Sequence, residues 1–438
     1  MAKKIRKSSA GGGKEPQTVQ EALERHFEGV LGRGRKFRAK APELKGLGHL
    51  LWRNGILGVG YGVKETAGAL TPVFGARVYV ARKRSRRSLD AKGRVPEQLF
   101  SDSQPVETDV VAVDRFSPLA KKEPPAKKRK AGSERRSRGG FGSLGPLGFG
   151  SLGPLGFGSL PPLSVSSWLA KDLALLRSPQ RPMSGGCSVG PELEPGDVAG
   201  TLGCFVRKGA GGKTYILSNN HVLADSRLTG FDIPIQDGDP IFQPGDLDRS
   251  DRYVLDLLRD GAHEQTQVAK LNDVIDIEPS DPRSEAQPAP NVVDAALAEI
   301  TDSNAEPAGS PLFTLPRVTL KDPPNPYDPK DLLLKVVGKV GRTTGATLGV
   351  VVEIDARFWI PYGDPEDFSR YAWFTNQIGV VPIGSNPDFS APGDSGAAVF
   401  DPLDDYRLVG LLFAGGEGLT LVNPIDEVFS RLGISGVA

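Results

Sequence analysis

A chain of 438 residues, 38% hydrophobic and 24% charged, is long enough for two or three domains with a real core beside segments that build none. The start Met1-Ala2-Lys3-Lys4-Ile5-Arg6-Lys7 has charge but no apolar segment behind it, and no run of about 18 apolar residues occurs, so neither a secretory signal nor a membrane-spanning helix is expected and the protein reads as cytoplasmic. The net charge of +1 conceals opposite halves: residues 1–140 hold 32 Lys and Arg against 14 Asp and Glu, and the rest hold 22 against 39, so the basic half could contact a polyanion such as nucleic acid, or the acidic body itself.

Residues 1–16 read as a basic flexible tail. Val19, Leu23, Phe27, Val30 and Leu31 then recur near helical spacing, which predicts a helix over 17–31. The β-rich runs 56–62, 74–80 and 108–113 predict three strands, and with the helix they suggest a small α/β domain over 17–116. Residues 117–180 break this pattern. A basic run at 121–130 precedes FGSLGPLG at 141–148, repeated at 149–156, and Gly and Pro at that density defeat helix and sheet alike, so the segment reads as a disordered linker. Its basic run would be a nuclear-import signal only in a eukaryotic cell, and its exposed Leu and Phe make the repeat a candidate for self-cleavage. A short helix over 166–176 closes it. In the remainder, 198–206 and 214–218 suit a hairpin turned at Gly209-Ala210-Gly211-Gly212, and 424–432 suits a C-terminal helix.

The chemistry centres on Ala391-Pro392-Gly393-Asp394-Ser395-Gly396, where one serine stands in a tight glycine-flanked turn. Gly393 has no Cβ, so its N–H can point with that of Ser395 toward one spot and form an oxyanion hole. A serine hydroxyl needs a base, and four histidines are present: His26, His49, His221 and His263. His221 follows the apolar β-rich run 214–218 and would emerge at a strand end; His26 and His49 have no catalytic companion, and His263 lies in a polar stretch. A buried carboxylate should orient the imidazole. Asp294, alone in the apolar run Val292–Ala298, fits best, with Asp273, Asp276 and Asp256 as competitors by position. No histidine pair at helical spacing and no CxxC occurs, so no metal or organic cofactor is implied, and Cys187 and Cys204 read as reduced buried thiols.

The order His, Asp, Ser resembles the chymotrypsin-fold serine peptidases, and more closely the trypsin-like peptidases of bacteria and their plant relatives that carry a smaller N-terminal α/β domain. The resemblance rests on RPMSGG at 181–186, GTLG at 200–203, SNNHVLAD at 218–225, NVVDAA at 291–296, VGRTTG at 340–345, APGDSG at 391–396 and VGLLFAGG at 409–416. It implies a mainly β fold: a two-barrel peptidase domain over 181–438, preceded by the small α/β domain and the linker. It also implies a triad of His221, Asp294 and Ser395 acting on protein or peptide substrates, with Phe413, Ala414 and Gly415 pairing with the substrate backbone. The place of the specificity residue falls on Phe389, next to Asp388, which suggests small or apolar side chains before the scissile bond. No Ile-Val-Gly-Gly start exists for Asp394 to pair with after zymogen cleavage, so its carboxylate is expected to bond within its own loop. The rival expectation is a catalytically silent peptidase-fold scaffold acting through its basic half. Oligomeric state is not legible.

Overall fold

The computed structural model describes residues 52, 55–66, 69–84, 95–101, 104–113, 116–118, 170–192, 199–209, 212–224, 235–249, 266–284, 286–313, 318–325, 327–383, 388–416 and 418–438. The basic tail, the helix expected over 17–31, the repeats of the linker, and His26, His49, Asp256 and His263 lie outside them.

The fold is mainly β, with one 12-stranded sheet and one 8-stranded sheet. In the larger sheet, six strands close on themselves: Gly345–Pro361, Tyr371–Pro382, Leu419–Pro424, Arg407–Gly416, Ala398–Asp401 and Val336–Gly341, each antiparallel to the next, with the last returning to the first. Closure removes the exposed edges that an open sheet would leave. Alternating Val, Leu and Ala fill this barrel, among them Val351, Val380, Val399, Leu412 and Val422. The smaller sheet runs Ile434–Val437, Cys204–Lys208, Thr214–Ser218, Ala296–Ile300, Gln267–Val274, Pro240–Phe242, Ser188–Pro191 and Gly200–Thr201. Its hairpin has the expected place, with Cys204 opposite Leu217 and Arg207 opposite Thr214 and left-handed glycines at 209 and 212.

The two sheets share a core. Cys204, Leu217 and Leu297 of one meet Val340, Ala398 and Leu411 of the other, and the helix Ile425–Leu432 covers the seam with Ile425, Val428 and Leu432. A left-handed glycine, Gly433 at φ 64°, stops that helix and turns the chain into Ile434–Val437. Cys187 and Cys204 are free and buried, and burial pushes both thiols up to about 12, so neither is reactive.

The three strands expected in the N-terminal half are present as Ile56–Thr66, Ala69–Val80 and Gln104–Ala112, and they extend the larger sheet. Ile56–Thr66 pairs with the outer half of Gly345–Pro361, Gly58 opposite Phe358 and Gly62 opposite Glu353. The sequence provides for this contact with glycine at every second position. A Cβ on Gly58 would lie 2.2 Å from the Phe358 ring, and one on Gly60 would lie 1.7 Å from the Glu353 carboxylate.

Candidate active site

The strand Thr214–Ser218 ends at Asn219, which begins the short helix Asn220–Leu223. Val222 and Leu223 are fully buried in the smaller barrel, which fixes the helix and with it His221, itself only 2% exposed. Asp294 lies just before the strand Ala296–Ile300 and is completely buried. Its Oδ2 meets His221 Nδ1 at 2.5 Å, and its Oδ1 accepts the His221 backbone N–H at 3.2 Å. Of the competing acids, Asp273 is bound to Lys208 and Asp276 is exposed.

With Nδ1 donating to the carboxylate, the lone pair of the neutral imidazole sits on Nε2, the tautomer a general base requires. His221 Nε2 is buried and has no protein hydrogen-bond partner. Three contacts hold Asp294 in turn. Tyr362 Oη donates to Oδ2 at 2.7 Å, Asn219 Nδ2 donates to the Asp294 carbonyl at 2.6 Å, and the Asp294 N–H donates to Asn423 Oδ1 at 2.6 Å. Burial and the neighbouring carboxylate push the Tyr362 phenol well above its ordinary value, so it remains a donor. Tyr362 and Asn423 escape a sequence reading, since both stand in strand-like apolar runs whose only signal is a polar atom that must find a partner.

Ser395 belongs to the other barrel. Its carbonyl accepts the Thr201 N–H at 2.8 Å, and a Cβ on Gly200 would lie within 2.5 Å of Val222 and 3.1 Å of that same carbonyl. The turn of Ser395 and the helix of His221 therefore meet across Gly200. Ser395 Oγ donates to the Phe413 carbonyl at 3.0 Å. Gly393 has φ 99°, and a Cβ there would lie 2.3 Å from Thr343 Oγ1 and 2.7 Å from Arg342 Nη1, so only glycine fits the turn. Arg342 is held by a bidentate pair with Asp248, at 2.6 Å and 2.5 Å.

Asp394 is fully buried. It accepts the Ala391 N–H within its own loop at 2.9 Å, but its larger support comes from Val336–Gly341 and the turn beyond it: the N–H groups of Thr343 and Thr344, Thr344 Oγ1, and Lys339 Nζ at 3.1 Å. Burial alone would raise its pKa, yet Lys339 and these donors hold the carboxyl below its ordinary value. Phe389 packs inside the larger barrel, while Asp388 faces solvent. Phe413, Ala414 and Gly415 lie on the strand Arg407–Gly416, whose edge also carries the Ser395 contact.

No protein-family model matches the chain, and no curated protein matches it either. Solved structures similar to it are bacterial serine proteases at low identity. Thermobifida fusca protease A is 14% identical over 58% of this chain and 98% of its own, with a TM-score of 0.34. Cellulomonas bogoriensis chymotrypsin is 15% identical over 57% and 96%, at 0.34, and a glutamic-acid-specific serine protease is 17% identical over 58% and 100%, at 0.35. Among the described residues no helix is long and apolar enough to cross a membrane.

Proposed function

We propose that the protein is a serine endopeptidase working by acyl transfer. The observation that carries this reading is the His221–Asp294 contact at 2.5 Å, with His221 Nε2 buried and without a protein hydrogen-bond partner. In the reaction, His221 takes the Ser395 proton as Oγ attacks a peptide carbonyl, and Asp294 stabilises the imidazolium that forms. The Gly393 and Ser395 N–H groups receive the oxyanion. The imidazolium then protonates the departing amine, and water repeats the sequence on the acyl-enzyme.

The resting contact of Ser395 Oγ with the Phe413 carbonyl gives substrate a part in alignment. A substrate strand laid on Phe413–Gly415 brings a backbone N–H to that carbonyl, which frees the hydroxyl to turn to His221 Nε2. For side-chain selection, the buried Phe389 and the outward Asp388 support small or apolar residues before the scissile bond.

The test is intact mass after treatment with a fluorophosphonate, for wild type and for Ser395→Ala and His221→Ala. One stoichiometric adduct, absent in both variants, is the expected result. A folded wild-type chain that takes no adduct would make this a silent peptidase-fold scaffold.

A further inference from the structure

The free edge of the strand Arg407–Gly416 beside Ser395 is occupied by the chain itself. Every strand has two edges. On one, Leu419–Pro424 pairs along the whole stretch from Gly410 to Gly416. On the other, Ala398–Asp401 pairs only as far as Leu411, the Gly396 N–H donates to the Leu412 carbonyl at 2.9 Å, and Ser395 Oγ donates to the Phe413 carbonyl. The next two positions on that same edge are taken by a two-residue strand, Ser117–Pro118, with Pro118 opposite Ala414 and Ser117 opposite Gly415.

The direction of this pairing matters. The segment is antiparallel, so as its residue numbers rise it moves from Gly415 to Ala414 and heads for Phe413, where the nucleophile's hydroxyl rests. A peptide bound for cleavage must approach the serine in this sense, with its amino-terminal side on the strand and its carbonyl delivered to Oγ. The segment is also anchored. Phe116 is 1% exposed, its ring centroid 4.4 Å from that of Phe358, in the same cluster as Phe413 and Ala414. A proline opposite Ala414 gives up no N–H and has its φ already set for an extended strand, which lowers the entropy lost on binding.

Resting on the peptidase reading above, we infer that the chain is its own substrate, with Phe116–Ser117–Pro118 as the recognition segment, and that it is cut in cis directly beyond it. The pairing runs toward Phe413 as far as Pro118, and Leu119–Ala120 follows it in the sequence, so the bond expected to break is Leu119–Ala120. Ser395 Oγ forms an ester with the carbonyl carbon of residue 119, the C–N bond breaks, and the amine of residue 120 takes the proton that His221 received from Ser395. One water then hydrolyses the ester and returns the serine. The cut separates the N-terminal strands from the linker in sequence while the sheet pairing keeps them attached, and an apolar residue at 119 agrees with the pocket preference argued above.

The experiment is a time course of intact mass on the full-length chain at several dilutions, beside Ser395→Ala and with fluorophosphonate labelling of parallel samples. Two fragments, 1–119 and 120–438, whose masses sum to the intact mass plus one water, are expected in wild type and absent in Ser395→Ala. The half-life of the intact chain should not change with dilution. Ser117→Pro, at an exposed position where proline cannot pair in the ladder, should slow the cut about tenfold or more without reducing fluorophosphonate labelling. A wild-type chain that stays intact yet labels at Ser395, one cut only within the FGSLGPLG repeats, or a half-life that shortens in proportion to concentration would overturn the inference and leave the peptidase reading standing. An intact folded chain that does not label would overturn both.

Discussion

Replacing Lys339 by Met should weaken the fold and the turn that carries Ser395 together. Lys339 has no exposed surface, and its ammonium binds Asp394 Oδ2 at 3.1 Å, the Gly345 carbonyl at 3.1 Å and Thr344 Oγ1. Methionine fills most of the same volume, so the cost is electrostatic: a carboxylate without its counter-charge in a dry site. Breaking a buried pair from one side costs roughly 3–5 kcal/mol. The low end applies here, about 3 kcal/mol, because four donors to Asp394 remain and because burial already pushes the Lys339 ammonium down, a cost the variant removes. Against a total stability of roughly 5–15 kcal/mol this is a large fraction. The loss should depend on pH. In wild type the Asp394 carboxyl is depressed, so its contribution is present above the unfolded pKa of about 3.9 and fades as pH falls through the folded value. Without Lys339 the effect of burial gains weight and the folded pKa moves up, so the deficit is largest near neutrality and shrinks in acid. Urea unfolding of both chains at pH 7 and pH 4 measures it, with fluorophosphonate labelling reporting the turn. A loss under about 1 kcal/mol at pH 7 would refute the claim that Lys339 carries the charge balance of this loop.

Two more substitutions follow from buried groups. Tyr362→Phe removes one donor to Asp294 Oδ2 while leaving the His221 contact; a loss of about 1–2 kcal/mol in kcat/KM is expected, with KM little changed, in peptide-hydrolysis kinetics. Glu353, buried against Tyr79 and Arg77 in the outer sheet, has its carboxyl raised by burial to about 7. An acid whose folded pKa exceeds the unfolded value binds its proton more tightly when folded, so its contribution is present below about 4.5 and is lost as pH rises to about 7, in all roughly 3 kcal/mol. Glu353→Gln should flatten that slope in thermal melts from pH 4 to pH 8.

What was legible in the sequence was what is local. SNNHVLA and APGDSG each carry their geometry within a few residues, a strand end in one and a left-handed glycine in the other. Asp294 could be favoured over Asp273 and Asp276 because a lone acid in an apolar run must be buried, and a buried acid needs a partner. The partners themselves were not legible. Lys339 is 55 positions from Asp394, Tyr362 is 68 from Asp294, and Asn423 is 129 from it, and each is one polar residue in a run that reads as strand. Nor could sequence say which of Phe389 and Asp388 is buried, since a shift of one residue exchanges inside for outside. The N-terminal strands were visible, while their pairing was not, although the alternating glycines of Gly58-Val59-Gly60-Tyr61-Gly62 mark one face as flush against another backbone.

That pairing ties the N-terminal strands to the barrel that carries Ser395. The strand Gly345–Pro361 is long enough to serve two purposes: its first half closes the barrel that carries Ser395, and its second half receives Ile56–Thr66. From there Ala69–Val80 and Gln104–Ala112 continue the sheet, and the chain leaving Val113, whose N–H donates to the Val80 carbonyl at 3.0 Å, reaches Phe116 and the edge of Arg407–Gly416. Removing these strands would expose the flank of Gly345–Pro361 and strip Glu353 of both Tyr79 and Arg77, and the burial that raises its carboxyl would be lost with them. It would also uncover Phe413, Ala414 and Gly415. The N-terminal half therefore covers the strand beside Ser395 through the backbone pairing of Ser117–Pro118, a contact that substitutions at His221, Asp294 or Ser395 should leave in place and that Ser117→Pro should break.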